Sequence, residues 1–190
     1  MKTIVVLAQK GGVGKSMVAD ELAFSFGRSG LPFTFYDLDA QGGTLHSTQT
    51  REGAQATIVD TPGALQADFG QWISEADAVI VPIRASGRDI PPFLRVVSLI
   101  QERHKKGFKF YVVVNFWNRY SATRDFIEWI SKKDIKYNEM LMIPQSESIV
   151  QASIAGTSVV KSSPNSPAAV AILNMCNKIR SDLGFSREGV

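Results

Sequence analysis

A single cysteine, Cys176, leaves this 190-residue chain without an internal disulfide and without the clustered thiols that a zinc or iron–sulfur site needs. Its expected place is as a small apolar filler on a helix face. The two histidines, His46 and His104, are too isolated in the sequence to suggest a metal site. No apolar run approaches the roughly eighteen residues of a membrane-spanning helix. Met1-Lys2-Thr3 leads straight into an apolar strand, without the longer apolar region and small-residue cleavage site of a secretory leader. The expected location is the cytoplasm. There is no internal repeat. Low complexity is confined to Ser162-Ser163-Pro164-Asn165-Ser166-Pro167, read as a capping turn before a last helix rather than as a linker.

What is present suits one well-buried core. The chain is 44% hydrophobic and too short for two ordinary domains, so a single domain over 1–190 is expected. The net charge of +3 is unevenly spread. Residues 1–95 carry 8 Lys+Arg against 10 Asp+Glu (net −2), and residues 96–190 carry 13 against 8 (net +5). A basic half can attract nucleic acid or anionic lipid through its summed field.

Short apolar runs alternate with longer segments of helical period. The reading is repeated βα units in a three-layer α/β fold, a mostly parallel sheet with helices on both faces. Strands are expected over 3–8, 33–37, 57–60, 78–82, 108–115 and 141–143, near-continuously hydrophobic as strands covered on both faces are. Helices are expected over 15–29, 65–74, 92–105, 122–132, 147–155 and 168–183, with Gly30 and Gly107 as stops for the first and third.

The chemistry concentrates where the first strand meets the first helix, in Gln9-Lys10-Gly11-Gly12-Val13-Gly14-Lys15-Ser16. Glycines let the backbone curl so that N–H groups face phosphate oxygens, and a helix N-terminus adds positive potential. Lys15 is placed to reach β- and γ-phosphates and Ser16 to coordinate Mg²⁺. Gly11, Gly12, Val13, Gly14, Lys15, Ser16 and Met17 are the nucleotide-facing run. The strict phosphate-loop pattern has Gly where this chain has Gln9, and a second lysine, Lys10, stands beside it.

Lys10-Gly11-Gly12-Val13-Gly14-Lys15-Ser16 resembles the deviant Walker A motif of the ParA/MinD group of P-loop ATPases. Asp37-Leu38-Asp39-Ala40-Gln41-Gly42 is similar to that group's switch I pattern, with Ala40 in place of its proline. Ile58-Val59-Asp60-Thr61-Pro62-Gly63 looks like its Walker B and switch II, and Ile80 through Asp89 like the strand and turn that follow. From Ile143 onward the likeness is looser.

The resemblance implies ATP and Mg²⁺ as ligands and assigns roles. Lys10 reaches across a sandwich dimer to the partner's phosphates. Asp39 positions the attacking water, Asp37 supports the metal from behind, and Thr61 and Gly63 respond to the γ-phosphate. On its own terms, Asp60 at a strand end suits Mg²⁺, which prefers oxygen ligands. Asp37 and Asp39, two apart, share a face if extended. Asn115 ends a buried strand before Phe116-Trp117-Asn118-Arg119 and is the adenine-side candidate, with Pro144 and Gln145 offering backbone groups to the base. Trp72, Trp117 and Trp129 read as packing. Only the fifteen residues 42–56 separate switch I from the next strand, where typical members of the group carry a further strand and helix.

By resemblance, the expected function is a weak, partner-stimulated ATPase that forms an ATP-dependent homodimer and positions plasmid or other large cargo. It would bind DNA nonspecifically in the ATP state and respond to an adaptor protein. Lys161, Lys178, Arg180 and Arg119 are the candidates for the DNA face. A conjugation-associated relative and a MinD-like membrane switch are the alternatives. A membrane role is disfavoured because Ala169, Ile172, Leu173, Cys176, Ile179 and Leu183 form a core-facing stripe on the last helix.

Overall fold

The computed structural model describes residues 1–40, 42–63 and 69–186. Six strands form one sheet: β1 (Lys2–Val6), β2 (Phe33–Asp37), β3 (Ala56–Asp60), β4 (Ala78–Arg84), β5 (Lys109–Trp117) and β6 (Glu139–Pro144). Their order is β2-β3-β1-β4-β5-β6, and every strand pairing is parallel. The helices are α1 (Lys15–Arg28), α2 (Phe69–Glu75), α3 (Ile90–Arg103), α4 (Ser121–Ser131), α5 (Glu147–Ile154), α6 (Val159–Ser162) and α7 (Pro167–Asp182).

The period of two along each strand sorts the core into two layers. Ile4, Val6, Ile58, Ile80, Tyr111 and Val113 face α1 and α7 with Leu22, Phe26, Ile172 and Met175. Val5, Val59, Val79, Val81, Val112 and Val114 face α2, α3 and α4 with Ile73, Phe93, Val96 and Ile130. Alternate residues of one apolar run therefore serve opposite layers, which is why these strands lack a polar face.

Most expected elements are present with shifted ends. β4 and β5 each run two residues further, β5 through a register shift between Val114 and Trp117 at which Phe116 takes φ 57°. The helix expected from residue 65 is described only from Phe69, because residues 64–68 lie outside the described set. Gln41 of the switch I motif lies outside it as well. The one-turn α6 went unforeseen. The Ser-Pro stretch does cap the last helix: the Ser166 hydroxyl accepts from Ala169 N at 3.1 Å, with Pro167 opening α7.

The expected DNA face needs one correction. Arg180 is fully buried and cannot belong to a DNA face. Its guanidinium donates to Ser25 O (3.2 Å), Ser25 Oγ (3.0 Å), Ser29 Oγ (2.6 Å) and Ser186 O (2.6 Å) and lies 5.5 Å from the Phe26 ring centre. It pins α7 to the C-terminal turn of α1, where the helix dipole favours a cation. Lys178 is half-buried between Asp182 (3.1 Å) and Glu139 (3.4 Å), so its charge is already offset. Lys161 and Arg119 are exposed.

Candidate functional site

The strand order reverses around β1, with β3 on one side and β4 on the other. Such a reversal opens a crevice at the C-terminal ends of the strands. There the loop from Gln9 to Gly14 joins β1 to α1. Gly12 and Gly14 hold φ 70° and 99°, values open to glycine and strained for other residues. Gly14 is the N-cap of α1 and has no side chain to satisfy the first-turn N–H groups, which suits them to an anion.

Lys15 is buried at 6% exposure. A Cβ on Gly63 would lie 3.6 Å from Lys15 Nζ and 3.5 Å from Gly11 N, so the chain after β3 closes against the loop. Ser16 Oγ donates to Asp60 Oδ2 at 2.7 Å. Asp60 is fully buried, and its other oxygen, Oδ1, has no hydrogen-bond partner. Burial pushes its carboxyl up to about 6, against the opposing pull of the Ser16 hydroxyl and the Lys15 charge; Asp37 and Asp20 add to the rise. A buried carboxylate with one spare oxygen beside a serine hydroxyl is a hard, all-oxygen donor set, and it fits Mg²⁺.

Asp37 ends β2 opposite Asp60 in the sheet register. Thr44 Oγ1 donates to its Oδ2 at 2.6 Å and Asp39 N to its Oδ1 at 3.0 Å. Asp39 lies beyond the strand in a turn closed by Gly42 N to Asp39 O at 2.8 Å, so the extended face expected to unite the two carboxylates does not continue past Asp37. Both are half-buried at the same end of the sheet as Asp60.

The short 42–56 segment has an architecture that the sequence did not reveal. A Cβ on Gly43 would sit 3.2 Å from Ser16 Oγ, so the segment lies over the serine. Phe35 and Gln49 form an antiparallel bridge, with 2.9 Å hydrogen bonds in both directions. Asp20, one turn after Ser16 on α1, accepts from Leu45 N (2.8 Å) and His46 N (3.0 Å) and meets His46 Nδ1 at 2.7 Å. The His46 ring packs against Phe24, Phe33 and Phe35. Helix α1 thus carries the Ser16 hydroxyl and, on the same face, the carboxylate that ties down the loop holding Asp37. The Gly42-Gly43 pair was the only local sign.

On the other side of the loop, Asn115 is buried, donates to Val13 O at 3.0 Å and accepts from Phe116 N at 2.9 Å. It lines a cleft of about 420 Å³ with Gly14, Met17, Phe116, Gln145, Ser146, Glu147, Ile149 and Val150. The cleft is within the size range of small-molecule sites. Asn115 therefore pins the loop as well as lining the cleft. Pro144 is not among the lining residues; it has no N–H, and the Gln145 N–H donates to Trp117 O at 2.9 Å. Of this stretch, Gln145 lines the cleft. The contributions of Phe116 and α5 were not foreseen, because only the register shift in β5 and the packing of α5 bring them to the loop.

Residues 4–159 match the family model described as the CobQ/CobB/MinD/ParA nucleotide binding domain. Protein IncC of Escherichia coli is 37% identical over 83 residues, a match covering 42% of this chain and 23% of IncC, so the chain spans about a quarter of that relative. The ATP complex of a Cyanothece McdA variant shares the fold at a TM-score of 0.80 and 15% identity, covering 100% of this chain and 99% of that one. The MinC:MinD cell division protein complex of Aquifex aeolicus does so at 0.76 and 16%, covering 100% and 97%.

Proposed function

The chain belongs to the CobQ/CobB/MinD/ParA nucleotide-binding domain family, and from this premise we propose that it is a Mg²⁺-dependent ATPase working as a dimeric switch in partition or cargo positioning. The observation that carries the reading is the juxtaposition of buried Lys15 with Ser16 and the half-satisfied Asp60 at the mouth of a glycine loop. The loop N–H groups and Lys15 hold the phosphates. Ser16 and Asp60 would hold Mg²⁺, with Asp37 behind them, and the cation would neutralise charge on the transferred phosphoryl group. Asp39 orients water, and Lys10 serves the nucleotide of a second subunit. The base lies in the cleft between Asn115, Phe116 and α5.

The McdA–ATP complex supports ATP as the nucleotide, and the MinC:MinD complex supports a protein partner for the switch. Nonspecific DNA is the proposed surface in the ATP state, drawing on the basic second half of the chain. Intrinsic turnover is slow, on the order of minutes or longer, as in switch NTPases without an activator. The test is a direct titration with ATP and Mg²⁺ alongside a turnover assay. Lys15→Ala abolishes binding, and retained affinity in that variant sinks the assignment.

A further inference from the structure

Lys10 does not lie free at the loop entrance. Its ammonium pairs with Asp89 Oδ1, while Arg84 Nε donates to Asp89 Oδ2 at 3.1 Å. The Asp89 side chain is 1% exposed, against 32% for Lys10 and 38% for Arg84. Asp89 is also the N-cap of α3, a position from which an aspartate ordinarily bonds the first N–H groups of its helix. Here it makes no such bond, and its carboxylate is turned to the two cations instead. The neighbouring Gln9 is tied to the same helix, its Oε1 accepting from Arg95 Nε at 2.6 Å. Both residues that precede the glycines are thus fastened to α3.

We infer that Asp89 is a positioning residue that latches Lys10 in cis, holding its charge within its own subunit until a second nucleotide-loaded subunit competes for it. The inference rests on the proposed trans role of Lys10 and adds its regulation. A buried carboxylate must keep a counterion. Arg84 supplies one, so Lys10 can leave without stranding Asp89 as an unpaired buried charge. The same two-cation arrangement weakens the hold on Lys10, because the cations repel each other across one carboxylate. The triphosphate of a partner subunit carries several negative charges and outcompetes a single shared carboxylate. The latch therefore opens only when a triphosphate sits opposite, which disfavours empty or ADP-loaded dimers.

The test is sedimentation of the full chain with Mg²⁺ and a non-hydrolysable ATP analogue across a range of protein concentrations. Asp89→Asn keeps the size of the side chain and removes its charge. A part-exposed ion pair is worth about a fivefold factor, and a symmetric dimer releases two, so the dimer dissociation constant falls roughly twenty-fivefold. Arg84→Gln leaves Lys10 as the sole counterion and raises the constant. Opposite signs for two neighbouring substitutions are not what loss of a merely structural contact produces. Asp89→Asn combined with Lys10→Ala behaves as Lys10→Ala alone. An unchanged or weaker dimer in Asp89→Asn, a tighter one in Arg84→Gln, or a further shift in the double variant overturns the latch while leaving the trans role standing. Wild-type dimerisation by Lys10→Ala alone overturns both. If Asp89→Asn does not fold, the sign of the Arg84→Gln shift decides.

Discussion

Asn115 occupies the space into which any side chain at Gly14 would project: a Cβ there would lie 3.2 Å from Asn115 Cγ and closer still to its amide nitrogen. The asparagine holds the loop by its 3.0 Å bond to Val13 O. Loop curvature and cleft wall are therefore set by one contact. Gly14→Ala combines this collision with backbone strain at φ 99°, and it should abolish ATP binding in calorimetric titration. Asn115→Ala leaves space but unties Val13, and should weaken ATP about tenfold while lowering stability by about 1 kcal/mol in urea unfolding.

Asp60 should behave as a group kept for function at the expense of stability. Asp60→Asn removes a buried charge with an unsatisfied oxygen, and should stabilise the nucleotide-free protein by about 1–3 kcal/mol at neutral pH while eliminating Mg²⁺-dependent nucleotide binding. Urea unfolding and a Mg²⁺ titration read the two effects. Loss of both stability and binding would count against the metal role.

The pH dependence has a definite sign. The Asp60 carboxyl is raised from 3.8 to about 6 in the folded chain. Between those values the folded state keeps a proton that the unfolded state has released, so this group's contribution to stability falls as pH rises through the window and is level above it. Mg²⁺ needs the ionised form, so its apparent affinity should drop by up to about tenfold per pH unit below 6. Denaturant midpoints without nucleotide and Mg²⁺ titrations with it, both from about pH 4.5 to 7.5, should therefore slope in opposite directions.

Asp20 should act on the site through the loop it holds. Asp20→Ala leaves the N–H groups of Leu45 and His46 unpaired and loosens the Thr44 bond to Asp37. The expected result is about 1–3 kcal/mol of lost stability and weaker Mg²⁺–ATP binding. ADP affinity without metal should change much less. An equal loss for both nucleotides would mean that Asp20 serves only the packing of α1.

Sedimentation should separate the proposed switch residues. Asp39→Ala should bind ATP and accumulate as a dimer, because phosphate contacts remain while the carboxylate proposed to orient water is lost. For the surface, ATP-loaded protein should bind duplex DNA with a log–log salt slope of roughly −4 to −5, for about four to six phosphates neutralised. Lys161→Glu should flatten that slope, whereas Arg180→Glu should fail to fold, because the Arg180 hydrogen bonds to Ser25, Ser29 and Ser186 join α7 to α1 and the C-terminal turn. Binding to anionic vesicles instead of DNA would favour a membrane switch.

The order of elements and the glycine loop between β1 and α1 could be read from local information. A strand buried on both faces is a run of apolar residues, and a glycine loop before an amphipathic helix is contiguous, so Lys10 through Ser16 declare themselves in seven letters. The place of Asp60 at the end of such a run was equally legible. What the chain order could not disclose is which distant groups share a charge or a hydrogen bond. The burial of Arg180, the hold of Asp20 on residue 46, the shift in β5 that turns Phe116 to the cleft, and the pairing of Lys10 with Asp89 all join residues far apart in sequence or depend on a break in regular pairing. A lysine or arginine looks the same in sequence whether it faces solvent or a buried carboxylate. Only packing decides, because the free energy of a charge depends on the water it loses and the counterion it gains.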